Sequence, residues 1–208
     1  MSAQLIDWPH LVREPQNGAT HYLLTLHGTG GNETEVATLA QHLDPNAGVL
    51  SPRGRVSEHG MTRWFARMAE GVFDVDDVIA RAQELAAFIH AAREQYGIQD
   101  APITAVGFSN GANIGTATAL LHPETLNRVV AFSGMYPFGD RDPIGDASGV
   151  ELLLLNGAAD PMAPTASVEH LARVAESHGV TVERHIRAGG HGIDMSDVAA
   201  AREWLAGR

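Results

Sequence analysis

Six short runs of the chain are near-continuously apolar or fenced by Gly or Pro: HYLLTLHG (21–28), GVLSPRG (48–54), PITAVGFS (102–109), NRVVAFSG (127–134), ELLLLNG (151–157) and VTVERHI (180–186). Runs of this kind predict β-strands buried on both faces. The segments between them have a different rhythm. Val36, Leu39, Ala40 and Leu43 recur at helical spacing, as do Val78, Ile79, Ala82, Leu85, Ala86 and Ile89, and later Val168, Leu171, Ala172 and Ala175. Each stripe predicts a helix laid against a sheet. Strands alternating with amphipathic helices give an α/β class, a mostly parallel sheet with helices on both faces. The stretch PFGDRDPIGDASG (137–149), dense in turn formers and Asp, is expected to be the most mobile loop.

Composition narrows the picture. A chain of 208 residues with 44% hydrophobic content can bury one sizeable core, so a single domain over 1–208 is expected. No Cys is present, which removes disulfides, thiolate nucleophiles and Cys-ligated zinc, and fits a reducing, cytoplasmic compartment. The opening MSAQLIDWPHLVRE lacks a basic region followed by an apolar one, and no run approaches a membrane span, so no membrane insertion is expected. The net charge is −11 and all 14 basic residues are Arg, a field that repels nucleic acid. A homodimer is left open.

Candidate chemistry begins at Gly107-Phe108-Ser109-Asn110-Gly111, where a strand pattern meets a helix pattern. A serine becomes a nucleophile when a tight turn pushes its hydroxyl clear of the backbone, and flanking glycines remove the Cβ atoms that would collide as strand folds back onto helix. A second glycine-rich turn, Gly28-Thr29-Gly30-Gly31, precedes an Asn32-x-x-Glu35 pattern resembling a capping box. Set beside the serine turn, it could present the Thr29 amide, together with that of Asn110, to an oxyanion. Phosphate binding is disfavoured, because Glu33 stands where a third glycine is wanted and a chain without Lys has no Walker A motif. Further on, Asp160 follows LLLLNG and His191 sits between glycines after the last strand, giving the order Ser109, Asp160, His191. In this reading His191 is the base and Asp160 its orienting acid. Asp140, Asp142 and Asp146 are rival acids after the preceding strand, and Ser133 reads as a strand-end residue. No His pair has metal-ligand spacing, so neither a metal nor a cofactor is expected.

Taken together, LHGTGGNE, LSPRG, RWFARMAEGVFD, GFSNGAN, NGAADPMAP and GGHG resemble the phospholipase/carboxylesterase family of α/β-hydrolases, from about residue 19 to the final helix near Leu205. The chain is most similar to the small carboxylesterase-like branch that includes the hydroquinone-stress-linked hydrolases and also reads HGTGG, SPRG and SNGAN. Thr29, Asn32 and Asn110 depart from the H-G-L-G-D and G-F-S-Q-G patterns of the acyl-protein thioesterases and lysophospholipases. The resemblance implies an α/β-hydrolase fold, serine ester chemistry on a small-molecule ester, and the same roles for Ser109, Asp160, His191, Thr29 and Asn110. No cap domain fits in the chain.

Trp64, Phe65, Met135, Tyr136 and Met162 follow strand ends, where open α/β sheets bind ligands, and are expected to line an acyl or aryl pocket that favours short-chain or aryl carboxyl esters. Arg53, Arg63 and Arg67 are expected to pair with nearby Glu58, Glu70 and Asp74 rather than with an acidic substrate. Thioester or lysophospholipid hydrolysis is the alternative activity, and a non-catalytic binding protein on the same fold the alternative class.

Overall fold

Leu23 and Leu24, neighbours in one strand, are both fully buried, and they point to opposite sides of a sheet. Leu24 joins a core with Leu50, Phe88, Ile114, Val129 and Leu152, whereas Leu23 joins Leu43, Val49, Val106, Val130 and Leu205. A sheet buried on both faces needs helices on both faces, as the computed structural model, which describes residues 8–207, displays. The elements in chain order are β1 (His10–Arg13), β2 (Tyr22–Leu26), α1 (Glu33–Leu43), β3 (Gly48–Pro52), β4 (Val56–Glu58), β5 (Met61–Arg63), β6 (Arg67–Ala69), β7 (Val72–Phe73), α2 (Val75–Tyr96), β8 (Ile103–Phe108), α3 (Asn110–Leu121), β9 (Arg128–Phe132), β10 (Glu151–Gly157), α4 (Thr165–Ser177), β11 (Thr181–Arg187) and α5 (Met195–Ala206). The reading of the first seven residues lies outside this range.

The main sheet has seven strands in the order β1-β3-β2-β8-β9-β10-β11, all parallel except the edge strand β1, which runs antiparallel to β3. All six expected strands are present. The chain leaves β2 towards β3 on one side and later places β8 on the other, so the order reverses between β2 and β8. Ligands in open α/β sheets bind at the carboxyl ends of the strands beside such a reversal. The loops after β2 and β8 carry Thr29 and Ser109. No helix among the described residues is long and apolar enough to cross a membrane.

Two elements depart from expectation. The segment 53–74 holds two small hairpins, β4–β5 and β6–β7, where no alternation predicted strands. The 137–149 loop is anchored rather than loose. Phe138, Ile144 and Ala147 are buried, the Ala147 amide donates to His178 O at 3.0 Å, and His178 bonds Asp142 at 2.9 Å. Tyr136, whose phenol burial pushes up to about 12, donates its hydroxyl to Arg141 O. The turn formers shape this loop, but three apolar residues among them hold it down. Trypsin should therefore leave native protein uncut at Arg141. Phe138→Ala, which empties a fully buried site at roughly 3–5 kcal/mol, should open that bond to cleavage on an SDS gel.

Candidate active site

The turn between β8 and α3 is built by what is missing from it. A Cβ on Gly111 would run into the carbonyl oxygen of Leu26 in β2, and one on Gly107 into the carbonyl of Gly111. With both absent, strand and helix close to a single-residue joint, and Ser109 is held at φ 53°, ψ −115°. That left-handed backbone is unusual for a residue with a side chain and persists only where surroundings enforce it. Here they do: the Ser109 amide donates to Phe132 O at 2.8 Å, and its carbonyl accepts from the Asn113 amide at 3.0 Å.

Ser109 Oγ lies 2.9 Å from His191 Nε2, and His191 Nδ1 lies 2.8 Å from Asp160 Oδ2. A carboxylate can only accept, so Nδ1 carries the ring proton and Nε2 is left free to accept from the serine hydroxyl. The Asp160 side chain is fully buried. Its other oxygen accepts the amides of Met162 at 2.8 Å and Ala163 at 3.1 Å, so the carboxylate is satisfied on both sides. Of the rival acids, Asp142 pairs with His178 and Asp146 accepts from the Ser148 amide, and neither bonds His191.

The two turns expected to meet do so. Among the described residues the Thr29 amide makes no hydrogen bond, whereas Gly30 N donates to Thr62 O at 2.8 Å and Gly31 N to Gly28 O at 3.1 Å. Asn110 is the first residue of α3, so its amide has no acceptor inside the helix. Asn32 caps α1, accepting from the Thr34 and Glu35 amides. Thr29, Ser109 and Asn110 share a small chamber of about 30 Å³ with Arg63, Asn113 and Ser133, closed by Gly71, Phe73 and Met162. Beside it runs a cleft of about 590 Å³ lined by Phe73, Val75, Met135, Tyr136, Met162 and His170. A third hollow, about 460 Å³, lies across the Thr29 turn against Val36, Leu39, Phe108 and Ile193.

Met135 and Met162 line the cleft of about 590 Å³, but Trp64 and Phe65 line no such space. Both are buried in the core, Phe65 fully, where Trp64 packs against Trp8 and His27. The Trp64 indole donates to His27 O at 2.8 Å and its amide to Asn110 Oδ1 at 2.7 Å. Trp64 thereby ties the glycine turn to the serine turn. The arginines divide. Arg53 forks onto Glu33, Arg67 binds Glu58 and Glu70, and Arg63 pairs with Glu58 at 3.7 Å and also reaches into the chamber to donate to Thr29 Oγ1 at 2.8 Å. Asp74 instead caps α2.

Three supports escaped sequence reasoning. Ser133, at φ 51°, uses its Oγ to donate to Gly192 O at 3.0 Å and accept from Gly192 N at 3.3 Å, pinning the residue after His191. Arg187 donates to the carbonyls of Ala188, Gly190 and Gly192 and binds the buried Asp197 at 2.5 Å. His27 is the third. Its Nδ1 donates to Gly28 O at 2.7 Å and its Nε2 accepts from Gly54 N at 2.9 Å, a pattern that only the neutral ring can make. The one visible signal was an Arg and two Asp bracketing the GGHG loop. No group of three or more His, Asp or Glu among the described residues is placed to hold a metal ion.

The model of one family, described as phospholipase/carboxylesterase, matches residues 9–207. The chain belongs to the phospholipase/carboxylesterase family. It is 36% identical over 182 residues to MhqD of Bacillus subtilis (strain 168), assigned to the hydrolases, covering 88% of this chain and 90% of that protein. It is also similar to the crystal structure of a Bacillus cereus carboxylesterase, with TM-score 0.90 and 36% identity over 97% of this chain and 94% of that one. A carboxylesterase structure from Mesorhizobium loti aligns with TM-score 0.89 and 32% identity over 97% and 95% of the two chains. Family membership thus agrees with the resemblance seen in the motifs.

Two outcomes follow for the supports. Arg187→Ala leaves the Asp197 carboxylate, 1% exposed, buried without its cation, and should lower stability by roughly 3 kcal/mol in denaturant titration. The second concerns pH. Burial is the main cause that holds the His27 pKa below its ordinary 6.5, so the stability its neutral form contributes is complete above 6.5 and is lost as pH falls through the lower folded value. The melting temperature should drop from pH 7 to pH 5, and more shallowly in His27→Gln. His178, raised by its bond to Asp142, acts with the opposite sign and is the same in both proteins.

Proposed function

We propose that this protein is a serine carboxylesterase that cleaves short-chain or aryl carboxyl esters through an acyl-enzyme. The observation that carries the reading is the unbroken row Ser109 Oγ, His191 Nε2, His191 Nδ1, Asp160 Oδ2, with contacts of 2.9 and 2.8 Å. In this mechanism Ser109 attacks the ester carbon as its proton passes to His191 Nε2. The oxyanion receives the Thr29 and Asn110 amides, aimed where charge develops. Collapse expels the alcohol, which takes the proton from His191 and leaves Ser109 acylated. Water then attacks the acyl-enzyme, giving its proton to His191, and the carboxylic acid departs as that proton returns to Ser109. Asp160 stays ionised, holding the Nδ1–H tautomer and stabilising the imidazolium.

The leaving alcohol must lie on the His191 side, because it is protonated there. That side is apolar, with the Phe108 ring 5.1 Å from His191 and Ile193 next to it in the same hollow, and suits an aryl or alkyl alcohol. The small chamber on the other side suits a short acyl group. One observation favours the thioesterase or lysophospholipase alternative: the apolar cleft past Phe73 and Met162 has room for a longer chain.

Ser109→Ala should abolish ester hydrolysis and fluorophosphonate labelling while the melting curve is retained. Asp160→Asn should lower kcat by about 10⁴-fold, through the wrong imidazole tautomer. Across p-nitrophenyl esters from acetate to palmitate, with palmitoyl-CoA and lysophosphatidylcholine alongside, kcat/KM should peak at short acyl chains. A maximum at palmitoyl substrates would transfer the assignment to the alternative, and full labelling of Ser109→Ala would remove the nucleophile.

A further inference from the structure

The chamber over Ser109 is lined by two residues whose hydrogen-bonding capacity the protein leaves unused. The Arg63 side chain is 4% exposed. Its Nη1 donates to Thr29 Oγ1 and its Nε to Phe65 O, but among the described residues its Nη2 has no acceptor. The Glu58 carboxylate lies 3.7 Å from Nη1, an ion pair without a hydrogen bond. Glu58 is engaged elsewhere, with both oxygens 3.0 Å from Arg67 Nε, and Arg67 also takes Glu70. The second donor is Asn110 Nδ2, buried and without a partner, although Asn110 Oδ1 accepts the Trp64 amide and so fixes which end of the side chain is which.

A role in holding Thr29 does not account for these donors. The Thr29 hydroxyl, the Phe65 carbonyl and the Glu58 ion pair engage Nη1 and Nε, and they leave Nη2 of the five-donor guanidinium over. Buried donors such as Asn110 Nδ2 are normally satisfied, and a binding site is where the acceptor for it and for the open Arg63 Nη2 comes from the ligand. We infer that Arg63 and Asn110 read an oxygen on the acyl half of the substrate, so that the preferred acyl group carries a carbonyl or carboxylate oxygen close to the reacting ester. This rests on the acyl-enzyme reading of Ser109. The acyl half is indicated because the alcohol departs on the His191 side, against Phe108 and Ile193, in a hollow that no Arg or Asn lines. Arg63 and Asn110 line the same small chamber as Ser109, so an oxygen that reaches them lies near the ester carbonyl.

The test uses three phenyl esters of one acyl shape: acetoacetate with a neutral carbonyl, the malonate half-ester with a carboxylate, and isovalerate with methyls in place of the oxygens. Each kcat/KM is divided by that ester's own alkaline hydrolysis rate. At least one oxygenated ester should exceed isovalerate by about tenfold or more, with a preference for malonate alone assigning the recognition to charge and a preference for both assigning it to the acceptor oxygen. Arg63→Met should bring the ratio near one, and Arg63→Lys, which keeps the charge and loses the fork, should reduce it. Isovalerate cleaved as well as the other two, with fluorophosphonate labelling of Ser109 intact, overturns the inference and leaves the esterase reading standing. Cleavage of none of the three, without labelling, overturns both. The wild-type ratio decides the matter even if Arg63→Met does not fold.

Discussion

The structure turns on the close approach of α3 to β2. Gly111 sits against the Leu26 and His27 carbonyls with no room for a single extra carbon, and Gly107 sits against Gly111 in the same way. Helix α3 is buried on nearly every side, its Ala and Gly residues letting it nest on the sheet beneath α2. Because the helix cannot move away from the strand, the joint between them cannot relax, and Ser109 keeps a backbone conformation it would not choose alone. Everything else at the site is built outward from that fixed point.

Each remaining group follows a parallel strand: Thr29 after β2, Ser133 after β9, Asp160 after β10, His191 after β11. Parallel strands share a direction, so residues scattered over most of the chain arrive at one edge. The loops are then tied to one another by polar contacts, with Ser133 and Arg187 gripping the histidine loop and Trp64 joining the hairpin segment to Asn110. A site held from several strands is positioned by the sheet and does not depend on any one loop being rigid.

The central strands β2, β3, β8, β9 and β10 were legible because they are buried on both faces, and continuous apolar runs have few other meanings, whereas the largely exposed edge strand β11 was marked by the glycines that bound it. The row Ser109, Asp160 and His191 was legible because glycine spacing reports steric need directly. Trp64 and Phe65 were misread for a physical reason: large apolar side chains fill a core and line a pocket equally well, and only the path of the 53–74 segment decides between them. That path was hidden, since β4 to β7 are two or three residues long and too short for any period to register. β1 was hidden likewise, an edge strand with four half-exposed residues. The positive φ of Ser133 and the reach of Arg187 across its own loop depend on tertiary packing and leave no local trace.

The two hairpins of the 53–74 segment differ in how they are attached. The first is tied into the chemistry, since Thr62 O holds the Gly30 amide, Arg63 holds Thr29, and Trp64 immediately after it holds Asn110. The second contributes Gly71 and Phe73 to the walls and, among the described residues, makes no comparable bond to either turn. The tip of the second hairpin is therefore free to vary while the two turns stay in register. The first hairpin is a far less free place to vary, because a change there shifts the Thr29 and Asn110 turns together.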